Sequence, residues 1–81
     1  MSIEEQIRQF LAAKLAQDPA RPFTDHDDLF TTGVLDSLNF VTLLQFLNKH
    51  LGVKFLPSEL LFEHFDTVEK IAAMVRKKQA P

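Results

Sequence analysis

The sequence predicts an all-α protein: a small bundle of three main helices plus one short helix, with a long loop between the first and second. Three observations carry that prediction. Apolar residues recur at helical spacing in three separate stretches. Each stretch opens on a Ser or Asp able to cap the unpaired N–H groups of a helix start. Pro or Gly interrupts the chain between them.

In the first stretch Ser2 and Glu5 stand at capping-box spacing, and Ile3, Ile7, Phe10, Leu11 and Leu15 form an amphipathic stripe. Asp18-Pro19 and Arg21-Pro22 stop it, so a helix is expected over about 3–16. Residues 17–36 are a long connection, a length that in compact domains is usually functional. Phe23, Leu29, Phe30, Val34 and Leu35 are interspersed with its polar residues, so the loop is expected to be pinned to the core, with Gly33 supplying a turn. The second helix starts at Asp36 or Ser37, either of which can cap it, runs to about His50 and ends at Gly52. Val53–Leu56 is extended at most. Pro57 and Ser58 open a short helix over about 57–64, Pro being tolerated in a first turn. Asp66 and Glu69 repeat the capping spacing before a last helix over about 67–78, whose inner face is Val68, Ile71, Ala72 and Val75. Arg76, Lys77 and Lys78 suit the negative end of its dipole.

Composition narrows the function classes. At 81 residues and 9.3 kDa the chain is expected to be one domain, 1–81, with 46% apolar and 25% charged residues as in globular proteins. There are no Cys, which excludes disulfides, thiolate zinc sites and a thiol nucleophile. Nine Lys+Arg against eleven Asp+Glu argue against nucleic-acid binding. No apolar run is long enough to span a bilayer, and MSIEEQIRQF places two Glu where a signal peptide needs cations. The expectation is therefore a cytoplasmic protein with no membrane insertion. A core this small leaves little room to enclose a substrate, so no catalytic site is expected.

Asp25, Asp27 and Asp28 lack the Gly and Glu of a calcium loop and are expected to be solvated. His26, His50 and His64 share no metal-ligand spacing, so no metal is expected. Asp36, Ser37 and a His do not make a hydrolytic triad, because neighbours at a helix start cannot supply the Ser–His geometry.

On the second helix, at about 100° per residue, Phe40, Leu43, Leu44, Leu47 and Leu51 share one face, with Val41 and Phe46 at its edges. Thr42, Gln45 and Lys49 lie opposite, and Leu38 falls among them, away from the core. A single exposed Leu is ordinary on a protein surface, and it is equally what a docking anchor looks like. Ser37 just before it stands at a helix N-terminus, where backbone N–H groups and the dipole favour an anionic phosphate. An N-cap role for Ser37 or Asp36 accounts for the same residues.

DHDDLFTTG followed by GVLDSLNFVTLLQFL, then LPSEL and FDTVEKIA, resembles the acyl and peptidyl carrier proteins over nearly the whole chain. The resemblance implies one carrier domain that is not an enzyme. It implies that Ser37 is esterified by 4'-phosphopantetheine, whose thiol carries an acyl or aminoacyl group as a thioester. Asp36 is then the acidic neighbour that helps a modifying transferase orient the Ser, and Leu38 matches an exposed partner contact, with Thr42, Gln45 and Lys49 beside it. The implied partners are a phosphopantetheinyl transferase, an adenylate-forming ligase or acyltransferase, and a downstream acyl-accepting enzyme, each meeting a monomeric carrier.

TTGVLDSL and VTLLQFL are most similar to stand-alone D-alanyl carrier proteins and discrete carriers of natural-product pathways. Fatty-acid-type acyl carrier proteins are an alternative, but the outward residues Asn39, Thr42, Gln45, Asn48 and Lys49 include no acid for a cationic partner to read. A cofactor-free helical interaction module is a second alternative. Leu35-Asp36-Ser37, and the short flanks, favour a free-standing protein over a domain cut from a large synthetase.

Overall fold

The structure, a computed structural model, describes residues 2–15 (Leu15 by its backbone) and 23–79. Helix α1 spans Ile3–Phe10 and continues as a wider, π-type turn over Leu11–Leu15. Helix α2 is Ser37–Leu51 and α3 is Val68–Gln79, with two 3-10 turns between them at Pro57–Glu59 and Phe62–His64. The expected helix end at 16, and the Pro-containing stops at 18–22, lie outside the described residues. Among the described residues no strand forms, and no helix is long and apolar enough to cross a membrane.

Each helix begins where a side chain can satisfy its free donors. Ser2 Oγ accepts the Glu5 N–H at 3.1 Å and donates to the Glu5 carboxylate. At α3 the expected cap at Asp66 is corrected by one residue. Thr67 Oγ1 accepts the Lys70 N–H at 3.1 Å, and the carbonyl of Asp25 accepts the Glu69 N–H at 3.1 Å. Asp66 is drawn instead to the Lys70 ammonium, 3.1 Å away. Gly52 ends α2 at φ 69°, a left-handed conformation that costs a residue without Cβ nothing.

The single short helix expected over 57–64 is two separate turns. Pro57 starts the first, and the Glu59 carboxylate accepts the Leu56 N–H at 2.7 Å while pairing with Lys78 at 2.5 Å. Those bonds hold Glu59 against the flanking chain and α3, and Leu60 leaves helical geometry at ψ 57°.

The core is Ile7 and Leu11, then Leu29, Val34 and Leu35 from the connection, Phe40, Leu43 and Leu47 from α2, Val53 and Phe65, and Val68, Ile71, Ala72 and Val75 from α3. Leu44 and Leu51, expected in the core, are only half-buried at its margin. Phe65 sits at the centre, meeting Phe40 and Phe55 edge-on with ring centroids 5.2 Å apart in both pairs, a favoured aromatic geometry. Phe46 lies at the edge of the α2 face, stacked on Phe10 at 4.1 Å. Among the described residues no polar or charged side chain is buried, so ionic ties lie at the surface.

One such tie joins α1 to α3. The Arg76 guanidinium donates to both Glu4 oxygens, at 2.6 and 2.5 Å, and holds that carboxyl down at about 2 from an ordinary 4.5. A carboxyl with a depressed folded-state pKa stabilises fully above its unfolded value and loses that contribution as pH falls through the folded one. Stability should therefore decline between pH 4.5 and about 2. Glu4→Gln, which cannot titrate, should show a shallower decline over that window in thermal melts. An identical pH dependence in the two proteins would remove the clamp from the account.

Candidate functional site

The approach to α2 is built by the loop. Leu29, Val34 and Leu35 are buried, and the Leu35 N–H donates to the Leu29 carbonyl at 2.9 Å, closing the segment between them into a tight excursion. Gly33, at φ 84°, makes the reversal. The Leu29 N–H donates to the Asp66 carbonyl at 2.7 Å and so ties the loop to the start of α3.

The loop carboxylates, expected to be solvated, are built into its turns. Asp27 Oδ2 accepts the Thr24 N–H at 2.7 Å. Asp28 Oδ1 accepts the Thr31 and Phe30 N–H groups at 3.2 and 2.9 Å, bonds that hold its carboxyl below the ordinary range. Asp25 pairs with Arg8 at 2.5 Å. Such Asx turns let a chain without repeating structure satisfy its own backbone.

At the helix start the residue that caps is Asp36. It is extended, at φ −138°, and its Oδ1 accepts the N–H groups of Leu38 at 3.0 Å and Asn39 at 2.8 Å, while its carbonyl accepts that of Phe40 at 2.8 Å. Ser37 is the first residue of α2 and is exposed, so its hydroxyl is released from the capping work that sequence alone could assign to either residue. The Asn39 side chain, half-buried, donates from Nδ2 to the Val34 carbonyl at 3.3 Å.

Leu38 stands 79% exposed, as the helical phase predicts. Thr42, Gln45 and Lys49 are exposed on the same face, the Thr42 hydroxyl reaching back to the Leu38 carbonyl at 3.5 Å. The other large apolar side chains exposed among the described residues are Val41, Leu56, Leu61 and Phe62. Phe62 stacks on Phe30 at 4.6 Å and meets Phe40 edge-on at 5.3 Å, which places it over the first turns of α2. Sequence reasoning passed over Leu56, Leu61 and Phe62. They lie in short turns with no hydrophobic period to phase, and the one available signal was the density of apolar residues in FLPSELLFEHF.

Residues 5–75 match the family model described as the phosphopantetheine attachment site. The D-alanyl carrier protein of Abiotrophia defectiva is 32% identical over 78 residues, covering 96% of this chain and 98% of that protein. The D-alanyl carrier protein of Lactococcus lactis subsp. lactis (strain IL1403) is 34% identical over 77 residues, covering 95% and 96%. The chain belongs to the phosphopantetheine-bearing carrier proteins. Members carry 4'-phosphopantetheine covalently on a serine and are not enzymes. That displaces the cofactor-free interaction module considered from sequence.

An exposed first-turn hydroxyl with no capping duty fits a covalently attached group of this kind. The Asp36 carboxylate already takes two of the N–H groups expected to cradle a phosphate. A phosphodiester at this helix end would thus depend on its covalent bond, with the carboxylate's negative charge beside it favouring an arm directed outwards.

The burial pattern of α2 makes the carrier's Leu38 and Leu47 a diagnostic pair. Leu47 is fully buried and Leu38 is not. Leu47→Ala should cost about 2–5 kcal/mol of stability through lost contacts and a cavity, while Leu38→Ala should change it by well under about 1 kcal/mol. Denaturant unfolding of the two variants checks this. Equal losses would mean that the face carrying Leu38 is not the outer one.

Proposed function

We propose that Ser37 bears the 4'-phosphopantetheine, and that the thiol of the arm holds an acyl or aminoacyl group as a thioester for delivery between partner enzymes. Support comes from comparing the hydroxyls. The chain has three serines, Ser2, Ser37 and Ser58. Ser2 precedes the matched stretch and is engaged as the α1 cap. Ser58 lies within a three-residue turn, between a Pro and a Glu held by Lys78. Ser37 alone combines exposure, the first turn of a long helix and an acidic neighbour that leaves it free, and this carries the reading.

The chain's own contribution is positional. Asp36 fixes the first turn and keeps the hydroxyl available. Ser37 Oγ would hold the arm through a phosphodiester, formed as the transferase takes the Ser37 proton and the pyrophosphate bond of coenzyme A breaks, with 3',5'-ADP as the leaving group. The arm would supply the thiol on which a thioester is held. The face made by Leu38, Thr42, Gln45 and Lys49, widened by Val41 and Phe62, is the surface offered to the transferase, to an adenylate-forming ligase or acyltransferase, and to an acyl-accepting enzyme. A small apolar anchor near a reactive group can carry much of a contact's energy.

The cargo we assign is a small amino acid, D-alanine first, or another small carboxylic acid. The similar proteins are D-alanyl carrier proteins, and α2 presents no Asp or Glu from Ser37 to Leu51 to a partner that reads carboxylates. The reading is of a monomeric cytoplasmic carrier, one domain over 1–81.

Intact mass after co-expression with a broad-specificity phosphopantetheinyl transferase tests the attachment. Wild type and Ser58→Ala should gain one prosthetic group and Ser37→Ala none, with its helical fold kept within about 1 kcal/mol. A mass gain that persists in Ser37→Ala would sink the assignment. The modified protein, incubated with ATP, D-alanine and a D-alanine-activating ligase, should gain the aminoacyl mass, several-fold more slowly in Leu38→Ala. Selective charging by a malonyl transferase of fatty-acid synthesis would overturn the cargo class.

A further inference from the structure

Asn39 falls among the outward polar residues of α2 by sequence phase, yet its side chain is half-buried and turned towards the loop. It is held at both ends. Its backbone N–H donates to Asp36 Oδ1 at 2.8 Å, and its side-chain Nδ2 donates to the Val34 carbonyl at 3.3 Å. Between Val34 and Asn39 run Leu35, Asp36, Ser37 and Leu38. Leu35 is anchored in the core, and its N–H is bonded to the Leu29 carbonyl at 2.9 Å. The Asn39 amide thus closes a loop around Ser37 from the helix side, joining the last residue before the buried Leu35 to the first turn that Asp36 caps.

We infer that Asn39 is a positioning residue for modification of Ser37, acting through the Val34 carbonyl. This rests on the attachment reading above. Only a donor at this position can make the bond, since a carbonyl oxygen accepts and cannot donate. Transfer to a hydroxyl needs that hydroxyl held in a narrow geometry, and small displacements cost rate out of proportion to their effect on folding. With Asp36 alone, the first turn is capped but the backbone entering it has no tether from α2. With Asn39 bonded to Val34, the entering chain and the helix move as one body.

Asn39→Asp separates this role from helix stability. Asp has nearly the same shape, and a carboxylate in the first turn is favoured by the helix dipole. It cannot donate to the Val34 carbonyl and places two acceptors face to face. Kinetics of modification of the apo-protein by a broad-specificity phosphopantetheinyl transferase, with coenzyme A and intact mass as the readout, should show kcat lowered about three- to tenfold in Asn39→Asp, with KM for the apo-protein within about twofold. Asn39→Gln, which keeps an amide donor on a longer stem, should recover part of the rate, and melting temperatures should not follow the order of rates. Amide hydrogen exchange on the apo-proteins gives an arm independent of modification: protection at Leu35 should fall in Asn39→Asp while protection at Leu43 and Leu47 is kept. Wild-type rate in Asn39→Asp with unchanged exchange at Leu35 overturns the inference. If wild type itself takes no prosthetic group, the attachment reading fails, and the exchange arm still decides whether Asn39 tethers the entering chain.

Discussion

One carboxylate oxygen sets the terms for the site. Asp36 Oδ1 accepts two backbone N–H groups of the first turn of α2, and a helix start with those donors unpaired would lose about 1 kcal/mol. An Asp also gains from the positive end of the dipole in a way that a Ser does not. Because the cap is the residue before the serine, capping falls to one side chain and the attachment we propose to the next. Had Ser37 been the cap, its oxygen would have been directed at backbone donors and its approach restricted.

The cap holds only if the chain entering it is held, and here the connection between α1 and α2 acts as part of the core. Its described residues bury Leu29, Val34 and Leu35 and lend the carbonyl of Asp25 to the free N–H of Glu69 at the start of α3. Arg8 reaches across from α1 to the same Asp25. A segment with no repeating structure thus touches all three helices, and the carboxylates of Asp27 and Asp28 are spent on its turns. The two asparagines of α2 do matching work at opposite ends: Asn39 bonds the Val34 carbonyl before the helix, and Asn48 the Val53 carbonyl after it, both at 3.3 Å. The helix is fastened at each end to the backbone that leads into and out of it.

Periodicity made the helices legible, together with Leu38, because both depend on a repeat that survives in one dimension. The capping residues were legible only as alternatives. Asp36 and Ser37 are equally good caps on paper, and the choice between them is a matter of φ and ψ. Thr67 took the cap expected at Asp66 because the neighbouring Asp25 carbonyl and Lys70 ammonium redistribute the donors and acceptors of that turn, a tertiary effect. The break at Leu60 and Leu61 follows from Lys78 of α3 holding Glu59, also a contact between distant positions. Asn48 is exposed as its phase predicts and still reaches the Val53 carbonyl, while Asn39, expected to face outward, is half-buried, since helical phase gives a direction and says nothing of a carbonyl waiting nearby.

The distribution of apolar surface then becomes intelligible. A chain of 81 residues has little core to spare, and each large side chain left in water forgoes about 1.5–3 kcal/mol of burial. Among the described residues five are left out, and all belong to the first half of α2 or to residues 56–62. The helices α1 and α3, which meet through Glu4 and Arg76, expose none of comparable size. Scattered exposure would need no explanation, but exposure confined to two short stretches, one of them the helix that Ser37 opens, does. Stability is drawn from one shared core that includes Ile7, Leu11, Ile71 and Val75, with the Glu4–Arg76 ion pair at its surface, and the five exposed side chains are left free to be covered by something else. For a protein whose work is to be met in turn by several enzymes, apolar surface withheld from its own core is the surface it can lend to each of them.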